Sequence, residues 1–372
     1  MKLKENKYIN SFVYSNYMRN NKDNMKLDLL DRKILYELDL DSRISFKALG
    51  KKLRVAKETI GFRIKKLVGT GYIKHFLTTI NVSNTNRFYY KLLYKFHRTT
   101  IKIDEEIINF IKNWKEVAYF ASLEGRYDVA FLILSKDMQD LRRFLTVFRS
   151  KFGGFILEQE ILTITNVHRF NFRFFYDDGK LLHTEYSEQL KESKLDVIDY
   201  QIMKILANNS RASFIEIGNT VKTTPNAVKY RVRKLKEMNV LGSTVLDISF
   251  DKFDIQHIQV DFAFKNPEVM KQIIANVSQF PQSTFAATTL GKYDLAVEFA
   301  VKDTKELRNI LNKIKEKFSD DITNYDVFIM EEHKINWFPY ELNEYDNNVK
   351  ELAKIVKKGV ADWHNKQSFI KK

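Results

Sequence analysis

The chain has 372 residues, 44% of them apolar, with a formal net charge of +15 and a pI near 9.5. This length predicts roughly two to four packed domains, and the positive charge predicts an anionic partner, either nucleic acid or a membrane surface. The absence of cysteine excludes disulfides and thiolate metal sites. No apolar run approaches the roughly 18 residues of a membrane span, and the first residues lack the apolar core of a signal peptide. We therefore expect a cytoplasmic protein that makes no contact with a membrane.

The chain begins with a polar arm and a helical head. Residues 1–24 are rich in Asn, Lys and Tyr without a regular period, and we interpret them as a loosely ordered basic arm. Residues 25–80 have the pattern of a helix-turn-helix DNA-binding domain that ends in a connecting strand at 73–80. Its first two helices are indicated by apolar residues at helical spacing and by Ser45, a capping hydroxyl before the second helix.

A third, basic helix is predicted at about 56–69, with Ile60, Ile64 and Leu67 turned inward. The residues on its outward face are then Lys57, Glu58, Gly61, Phe62 and Lys65. A short basic helix after a tight turn can lie in the major groove of DNA. The alternative is a three-helix unit with a solvated charged face.

Residues 87–168 have a different period, typical of a strand, a helix, two strands, a helix and a last strand. We place the cap of the first helix at Asp104 and a tight turn at Gly125-Arg126. This βαββαβ order predicts a ferredoxin-like domain, a four-stranded antiparallel sheet with both helices on one face.

Both units then occur a second time. Residues 195–242 match 27–74 without gaps at a separation of 168, and Gly-Lys-Tyr-Asp at 291–294 matches Gly-Arg-Tyr-Asp at 125–128. Such a match indicates an internal duplication. The predicted domains of the second half are a polar linker at 169–194, a second helix-turn-helix domain at 195–248, a second ferredoxin-like domain at 254–334, and a basic amphipathic tail at 335–372, which we expect to pack on the domains. The fold class is α+β, with two winged-helix or helix-turn-helix heads and two ferredoxin-like domains.

The head pattern, followed by a βαββαβ unit with Gly-x-Tyr-Asp between its second and third strands, resembles the Lrp/AsnC family of transcription regulators. The resemblance covers about 27–168 and 195–334. It implies a regulator that binds double-stranded DNA as a dimer, with C-terminal domains that pair through their sheets and hold a small effector, typically an amino acid. Ordinary members carry one copy of each unit, so this chain resembles a dimer fused into one polypeptide. No cofactor is implied.

Two departures from the family pattern affect the third helices. Family members usually begin this helix with a Ser or Thr cap, which the second copy retains as Thr224-Pro225 and the first replaces by Ala56. Where the family tends to have paired arginines, the two copies have Phe62-Arg63 and Tyr230-Arg231.

The predicted DNA contacts lie on the two third helices. Asn226 suits an adenine edge, and Lys229 suits guanine or phosphate. For Arg63 and Arg231 the alternative is an ion pair with Asp31 or Asp199 of the same head. The full predicted set is Lys57, Glu58, Phe62, Arg63, Lys66, Thr224, Pro225, Asn226, Lys229, Tyr230, Arg231 and Lys234. Because the two faces differ, we expect an asymmetric operator.

The predicted effector site lies at the Gly-x-Tyr-Asp loops. By resemblance these loops border a pocket in which backbone amides hold a carboxylate and an Asp holds an ammonium group. The alternative is that the glycines serve the turns and the aspartates accept loop amides. The predicted set is Glu124, Gly125, Arg126, Asp128, Thr288, Thr289, Gly291, Lys292 and Asp294, and Thr288-Thr289 favours the second pocket.

We predict no enzyme and no metal site, because the sequence lacks catalytic motifs and its seven histidines are dispersed. His168 and His333 occupy similar positions after the last strands, which we interpret as packing or surface positions. Siroheme decarboxylases resemble the same two-unit architecture and depend on a basic pocket that contains histidine, so they are the main alternative. An architectural DNA-binding protein without an effector is another.

Overall fold

The computed structural model describes residues 27–176, 179–187 and 193–339. The predicted N-terminal arm and residues 340–372 of the predicted tail lie outside these described residues. The elements of the first half are α1 Leu29–Leu40, α2 Phe46–Leu53, α3 Lys57–Gly69, β1 Ile73–Ile80, β2 Phe88–Phe96, α4 Ile101–Asn113, β3 Val117–Glu124, β4 Val129–Ser135, α5 Met138–Phe152 and β5 Ile156–Phe170. After β6, His183–Ser187, the second half contains α6 Val197–Asn208, α7 Phe214–Val221, α8 Pro225–Glu237, β7 Leu241–Ile248, β8 Gln256–Phe264, α9 Met270–Val277, β9 Ser283–Leu290, β10 Leu295–Val301, α10 Thr304–Phe318 and β11 Ile322–Ile335.

The two halves match element by element. The separation is 168 residues as far as β2 and β8, and 166 residues from β3 and β9 onward. The change falls at one helix, because α4 has 13 residues whereas its counterpart is a 3-residue 3₁₀ turn followed by the 8-residue α9. The duplication inferred from the sequence is therefore a duplication of structure.

Each half builds a ferredoxin-like sheet, and the two sheets join. The strand order is β5-β2-β4-β3 in the first half and β11-β8-β10-β9 in the second, all antiparallel. In the first half, both helices pack on the same sheet face through a core that includes Ile107, Phe131 and Phe144. The predicted fold class, α+β with two heads and two ferredoxin-like domains, is confirmed.

The last strands, β5 and β11, join the halves. The first part of β5 pairs with β2 of its own sheet, and its later part, from Thr163, pairs with β9 of the other half. Strand β11 does the same with β8 and then β3, so that Ile329 faces Glu124 as Thr163 faces Leu290. Eight strands thereby form a closed circuit of pairings, and one of the apolar cores contains residues of both halves.

The two heads are also joined by a self-complementary contact. Strands β1 and β7 form an antiparallel two-stranded ribbon in which Ile73 faces Ile248 and Ile80 faces Leu241. Beside the ribbon, the hydroxyls of Ser42 and Ser210, residues at equivalent positions, lie 2.6 Å apart. Such reciprocity is the signature of a two-fold interface.

Two half-buried arginines reinforce this contact. Arg211 donates to the carbonyls of Ser42 and Ile44 at 2.6 and 3.1 Å, and Arg43 donates to the carbonyls of Ser210 and Ala212. Burial lowers the pKa of both guanidinium groups. Because the same pair of bonds is made in both directions, the heads are fixed to each other as a pseudo-symmetric pair.

Three details of the sequence interpretation are wrong. Helix α4 is capped by Thr100, whose hydroxyl accepts the Ile103 amide, and Asp104 lies inside the first turn. Gly61 does not face outward, since it is buried against the Phe46 ring. The 169–194 segment is more than a polar linker, because its residues 183–187 form β6 alongside β5.

The helix caps in the heads follow the sequence. Ser45 and Thr224 accept the amides of Ala48 and Ala227, whereas Ala56 begins α3 without a side-chain cap. The backbone at Ala56 is extended, with φ −58° and ψ 142°, close to the −75° and 150° of Thr224. The missing hydroxyl is therefore the difference between the two third helices at this point.

Two glycines allow the halves to approach. Gly125 and Gly291 have φ of 149° and 143°, a region that favours glycine. A Cβ on Gly125 would lie 2.6 Å from the Val327 carbonyl oxygen on β11, and one on Gly291 would lie 2.6 Å from the Leu162 side chain on β5. Each loop glycine is thus pressed against the last strand of the other half.

We expect Gly125→Ala to lower the free energy of unfolding by about 1–3 kcal/mol, because it combines backbone strain with a clash against main chain. Gly154→Ala is the control, since an added Cβ there meets no atom within 4 Å. Urea unfolding followed by circular dichroism measures both. Equal losses in the two variants would contradict the role assigned to Gly125.

We expect Thr224→Ala to destabilise the second head by about 1 kcal/mol, because one amide of α8 loses its acceptor. Ala56→Thr should stabilise the first head by a similar amount, since the backbone at that position already has the geometry of a cap. Hydrogen exchange of the amides at 57–60 and 226–228 reports each head separately. Unchanged exchange at 57–60 in Ala56→Thr would refute the comparison.

Candidate nucleic-acid interface and effector loops

The third helix of each head buries one stripe and exposes the other. Ile60, Ile64 and Leu67 of α3 are fully buried, as are their counterparts on α8, or nearly so. The aromatic rings that precede the arginines point outward, with Phe62 66% and Tyr230 57% exposed. The predicted contact residues that are exposed are Lys57, Glu58, Phe62, Lys66, Thr224, Pro225, Asn226, Lys229, Tyr230 and Lys234. Their contact with DNA stays a prediction.

Further positive charge surrounds these faces. The exposed basic residues around them are Lys51, Lys52, Lys65, Arg233 and Lys236. Lys52 pairs with Glu37, and Arg233 lies 3.6 Å from Glu237, one turn further along α8. The Arg233–Glu237 pair is exposed on both sides, so it contributes little to stability and leaves its cation available to an anion, whereas Glu37 is buried.

Arg63 and Arg231 form the ion pairs considered as the alternative. Arg231 donates to Asp196 and Asp199 at 2.7 and 2.8 Å, and Arg63 reaches Asp31 at 3.0 Å as well as Asp28. The Asp31 amide and the Arg63 guanidinium lower the pKa of Asp28. These arginines tie the third helix to the first, so a phosphate contact by either stays a prediction.

The aspartates of the Gly-x-Tyr-Asp loops already have partners. Asp128 accepts the Phe96 amide at 2.7 Å and the Lys95 ammonium at 2.6 Å, and Asp294 accepts the Phe264 amide at 2.8 Å. Both aspartates therefore accept backbone amides, as in the alternative interpretation, but the donors are the last residues of β2 and β8 and not loop residues. An effector that approaches these loops meets aspartates that are already holding the adjoining strand.

The two loops do provide a charged cluster around Glu158. Its carboxylate accepts from Arg126 at 2.9 Å, from the Tyr127 hydroxyl at 3.0 Å and from Lys292 of the other half at 3.0 Å. These bonds, led by that of Arg126, lower the pKa of Glu158 to about 2. The basic residues predicted at equivalent loop positions are thus brought together by a carboxylate that the sequence interpretation did not single out.

The threonine hydroxyls of the second predicted effector pocket already have hydrogen-bond partners. The Thr289 hydroxyl donates to the Tyr293 carbonyl at 2.6 Å, and the hydroxyls of Thr288 and Thr165 lie 2.7 Å apart. Both threonines are buried. Their part in effector binding, like that of Glu124, Gly125 and Gly291, stays a prediction.

The histidines pack into the structure. His168 lies 3.0 Å from His183, and the His333 ring nitrogen lies 2.7 Å from the Ser122 hydroxyl. Burial lowers the pKa of His333 to about 4, with help from nearby lysines. Within the described ranges, no group of three or more His, Asp or Glu side chains is arranged to hold a metal ion. None of the helices described is long and apolar enough to cross a membrane.

A cavity of about 180 Å³ lies between the β1–β7 ribbon and the sheets. It is lined by none of the predicted DNA or effector residues. Its charged side chains include Asp247, Glu298 and Glu332, with His257 beside them. The sequence interpretation missed these residues because they come from four strands that are distant along the chain. Their one signal was charge at positions inside otherwise apolar strands.

The AsnC-type helix-turn-helix domain model matches the chain twice, at residues 27–68 and 195–236. An uncharacterized HTH-type transcriptional regulator of Pyrococcus furiosus is 36% identical over 126 residues, which are 32% of this chain and 80% of the relative. An HTH-type transcriptional regulator of Methanocaldococcus jannaschii is 31% identical over 119 residues, 32% of this chain and 79% of that protein. A relative of this length corresponds to one half of the chain.

Among solved structures, the siroheme decarboxylase NirDL superimposes with a TM-score of 0.57 at 14% identity, covering 89% of this chain and all of that one. At this identity the likeness concerns the fold, and it extends to both heads and both sheets. The family comes from the sequence relatives, and it confirms the resemblance drawn from the heads and the Gly-x-Tyr-Asp loops. The chain belongs to the Lrp/AsnC type of helix-turn-helix transcriptional regulators, with two copies of the family's head in one polypeptide.

Proposed function

We propose that this chain is a sequence-specific regulator of transcription that reads duplex DNA as a fused pseudo-dimer. The observation that carries the proposal is the self-complementary pairing of the heads, which presents two exposed basic third helices about one pseudo-two-fold axis. Two-fold related heads read half-sites about one helical turn apart. One polypeptide here supplies both. We place the protein in the cytoplasm, where it would meet the DNA that it binds.

Phosphate contacts would supply most of the affinity. Lysines on and beside both third helices are exposed, and the chain as a whole carries a charge of +15. Neutralising phosphates releases bound counterions, so affinity should fall steeply as salt rises. The exposed rings of Phe62 and Tyr230 lie on the same faces and could make apolar contacts with thymine methyl groups.

Base readout would differ between the heads. Asn226 and Lys229 suit adenine and guanine edges, whereas Glu58 of the first head suits the amino group of cytosine. The pseudo-dimer should therefore prefer an operator with two unlike half-sites. A homodimer with identical heads has no such preference.

We expect Asn226→Ala to relax base preference in one half-site and Glu58→Ala to relax it in the other, each by about 1–3 kcal/mol for the base concerned. Selection of bound DNA from a random pool, followed by gel-shift titration, measures this. Lys57→Ala and Lys229→Ala should weaken DNA binding, because each removes a positive charge from a third helix. Lys305→Ala, which removes a charge from the exposed face of α10, is the matched control. Equal loss of affinity in the control would mean that only overall charge matters.

Siroheme decarboxylation is the second candidate, favoured by the superposition of NirDL on nearly the whole chain. Two observations count against it. A substrate that is decarboxylated carries carboxylates, which would be repelled by Asp247, Glu298 and Glu332 in the wall of the cavity. Its volume of about 180 Å³ is also below the roughly 300–1,000 Å³ of pockets for drug-sized ligands. Adding siroheme to the protein used for the gel shifts distinguishes the candidates. An absorbance change without a DNA shift would favour the enzyme.

We also propose that the Gly-x-Tyr-Asp loops bind an amino-acid effector. The support is the cluster in which Arg126 and Lys292, from opposite halves, converge on Glu158. An incoming carboxylate could replace Glu158 on these two cations, and the loop amides could add donors. Binding would then involve both halves, so it could alter the way they are joined.

We expect the preferred amino acid to raise the melting temperature of the wild-type chain, since it binds the folded state alone. Lys292→Met should abolish that rise. Lys265→Met, at an exposed position, is the control. Screening the twenty amino acids by thermal shift provides the measurement, and a rise that survives in Lys292→Met would remove these loops from the effector site.

A further inference from the structure

The cavity lies where the two halves meet and is walled mainly by apolar side chains. Its lining includes aromatic residues from both halves and from the 169–194 linker, among them Tyr89, Phe172, Phe250 and Trp337. The Phe250 ring stacks on His257 with centroids 4.2 Å apart. A volume of about 180 Å³ is close to the roughly 150 Å³ of an engineered cavity that accepts benzene. The space is therefore suited to one aromatic ring with a short arm.

The three carboxylates of this cavity, Asp247, Glu298 and Glu332, which we call its acidic wall, all come from the second half. Asp247, Glu298 and His257 all belong to the second half. Their counterparts in the first half, at separations of 168 and 166, are Thr79, Leu132 and Tyr89, which line the same cavity. A symmetric dimer would carry carboxylates on both sides. In this chain the carboxylates come from one half only, and the first half contributes Arg169 to the lining.

The acidic wall is short of positive charge. Lys74 donates to Glu332 at 2.7 Å and lies 3.7 Å from Asp247. Arg169, which also lines the cavity, is already held by the buried Asp39. Lys74 is thus shared between Glu332 and Asp247, whose second oxygen lies 2.7 Å from the His75 ring, and neither Lys74 nor Arg169 forms an ion pair with Glu298 among the described residues.

Glu298 is the carboxylate most available to a ligand. His257 lies 3.1 Å from one of its oxygens, and among the described residues no other side chain donates to this carboxylate. The charged form of Glu332 is the less favourable one, because burial and the nearby Asp247 raise its pKa to about 7 in spite of Lys74. Both observations indicate an excess of negative charge at this wall of the cavity.

We propose that this cavity binds a compact organic cation, a primary amine with an aromatic or branched apolar body. The ammonium group faces Glu298 and Glu332, and the apolar body lies against Leu132, Tyr89 and Trp337. An amino acid is disfavoured here, because its carboxylate would face the acidic wall. The site is thus distinct in place and chemistry from the effector loops.

Binding here could act on the heads. Leu77 and Thr79 of β1 and Val245 and Asp247 of β7 form part of the cavity wall, while Glu298 and Glu332 belong to the sheets. A ligand that contacts both would fix the ribbon, and the heads it carries, relative to the sheets. This consequence for DNA recognition rests on the proposed function, whereas amine binding itself does not.

Isothermal titration of the full chain with 2-phenylethylamine, 2-phenylethanol and 3-phenylpropionate tests the proposal without DNA. We expect the amine to bind one per chain, the alcohol at least tenfold more weakly, and the acid not at all. Glu298→Gln should weaken amine binding at least tenfold and leave alcohol binding unchanged. Glu316→Gln, which removes an exposed carboxylate from α10, should change neither.

Equal binding of amine and acid, or no amine binding at millimolar concentration, would overturn the proposal. So would full amine affinity in Glu298→Gln. If Glu298→Gln fails to fold, the order of the three ligands on the wild-type chain decides, because charge is the main difference between them.

Discussion

The pairing of strand edges between the two halves is the constraint on which the rest of the structure depends. Each four-stranded sheet has two edges, β3 and β5 in the first half and β9 and β11 in the second. Edge β3 is paired with β11, and edge β9 is paired with β5. Since unpaired edges expose rows of amide and carbonyl groups, neither half is complete without the other. Fusion makes the completing partner part of the same chain, so closure does not depend on protein concentration.

Fusion also allows the two halves to differ, which a homodimer cannot do. The contacts that hold the halves together remain reciprocal, as in Ser42 with Ser210 and in the two registers of β5 and β11. The surfaces that could meet ligands have diverged. One third helix has a capping threonine and the other an alanine, and the central cavity has carboxylates from one half only. Symmetry is kept at the contacts between the halves and lost at the surfaces that we propose for recognition.

The sequence predicted most elements because their apolar periods are local. Strand β1 is predicted at 73–80 and is observed there, and Gly125 and Gly291 lie where an added Cβ would clash. The Asp104 cap was wrong because Thr100 offers an equally good hydroxyl one turn earlier. Strand β6 could not be predicted, since only its pairing with β5 makes a polar segment extended. The cavity depends on which distant strands meet, and a local pattern carries no such information.

The heads are connected to each other more extensively than they are connected to the sheets by polar contacts. The heads are joined to each other by reciprocal bonds, so they can be expected to move as one body. Individual polar contacts link them to the sheets, including Lys74 on β1 with Glu332 on β11 and Asp39 on α1 with Arg169 on β5. Both links involve residues at the cavity or in contact with its wall. A change in charge or occupancy there alters these ion pairs directly, whereas a change at the Gly-x-Tyr-Asp loops must first act through the long strands β5 and β11. The cavity is therefore closer than the loops to the ion pairs that join the heads to the sheets.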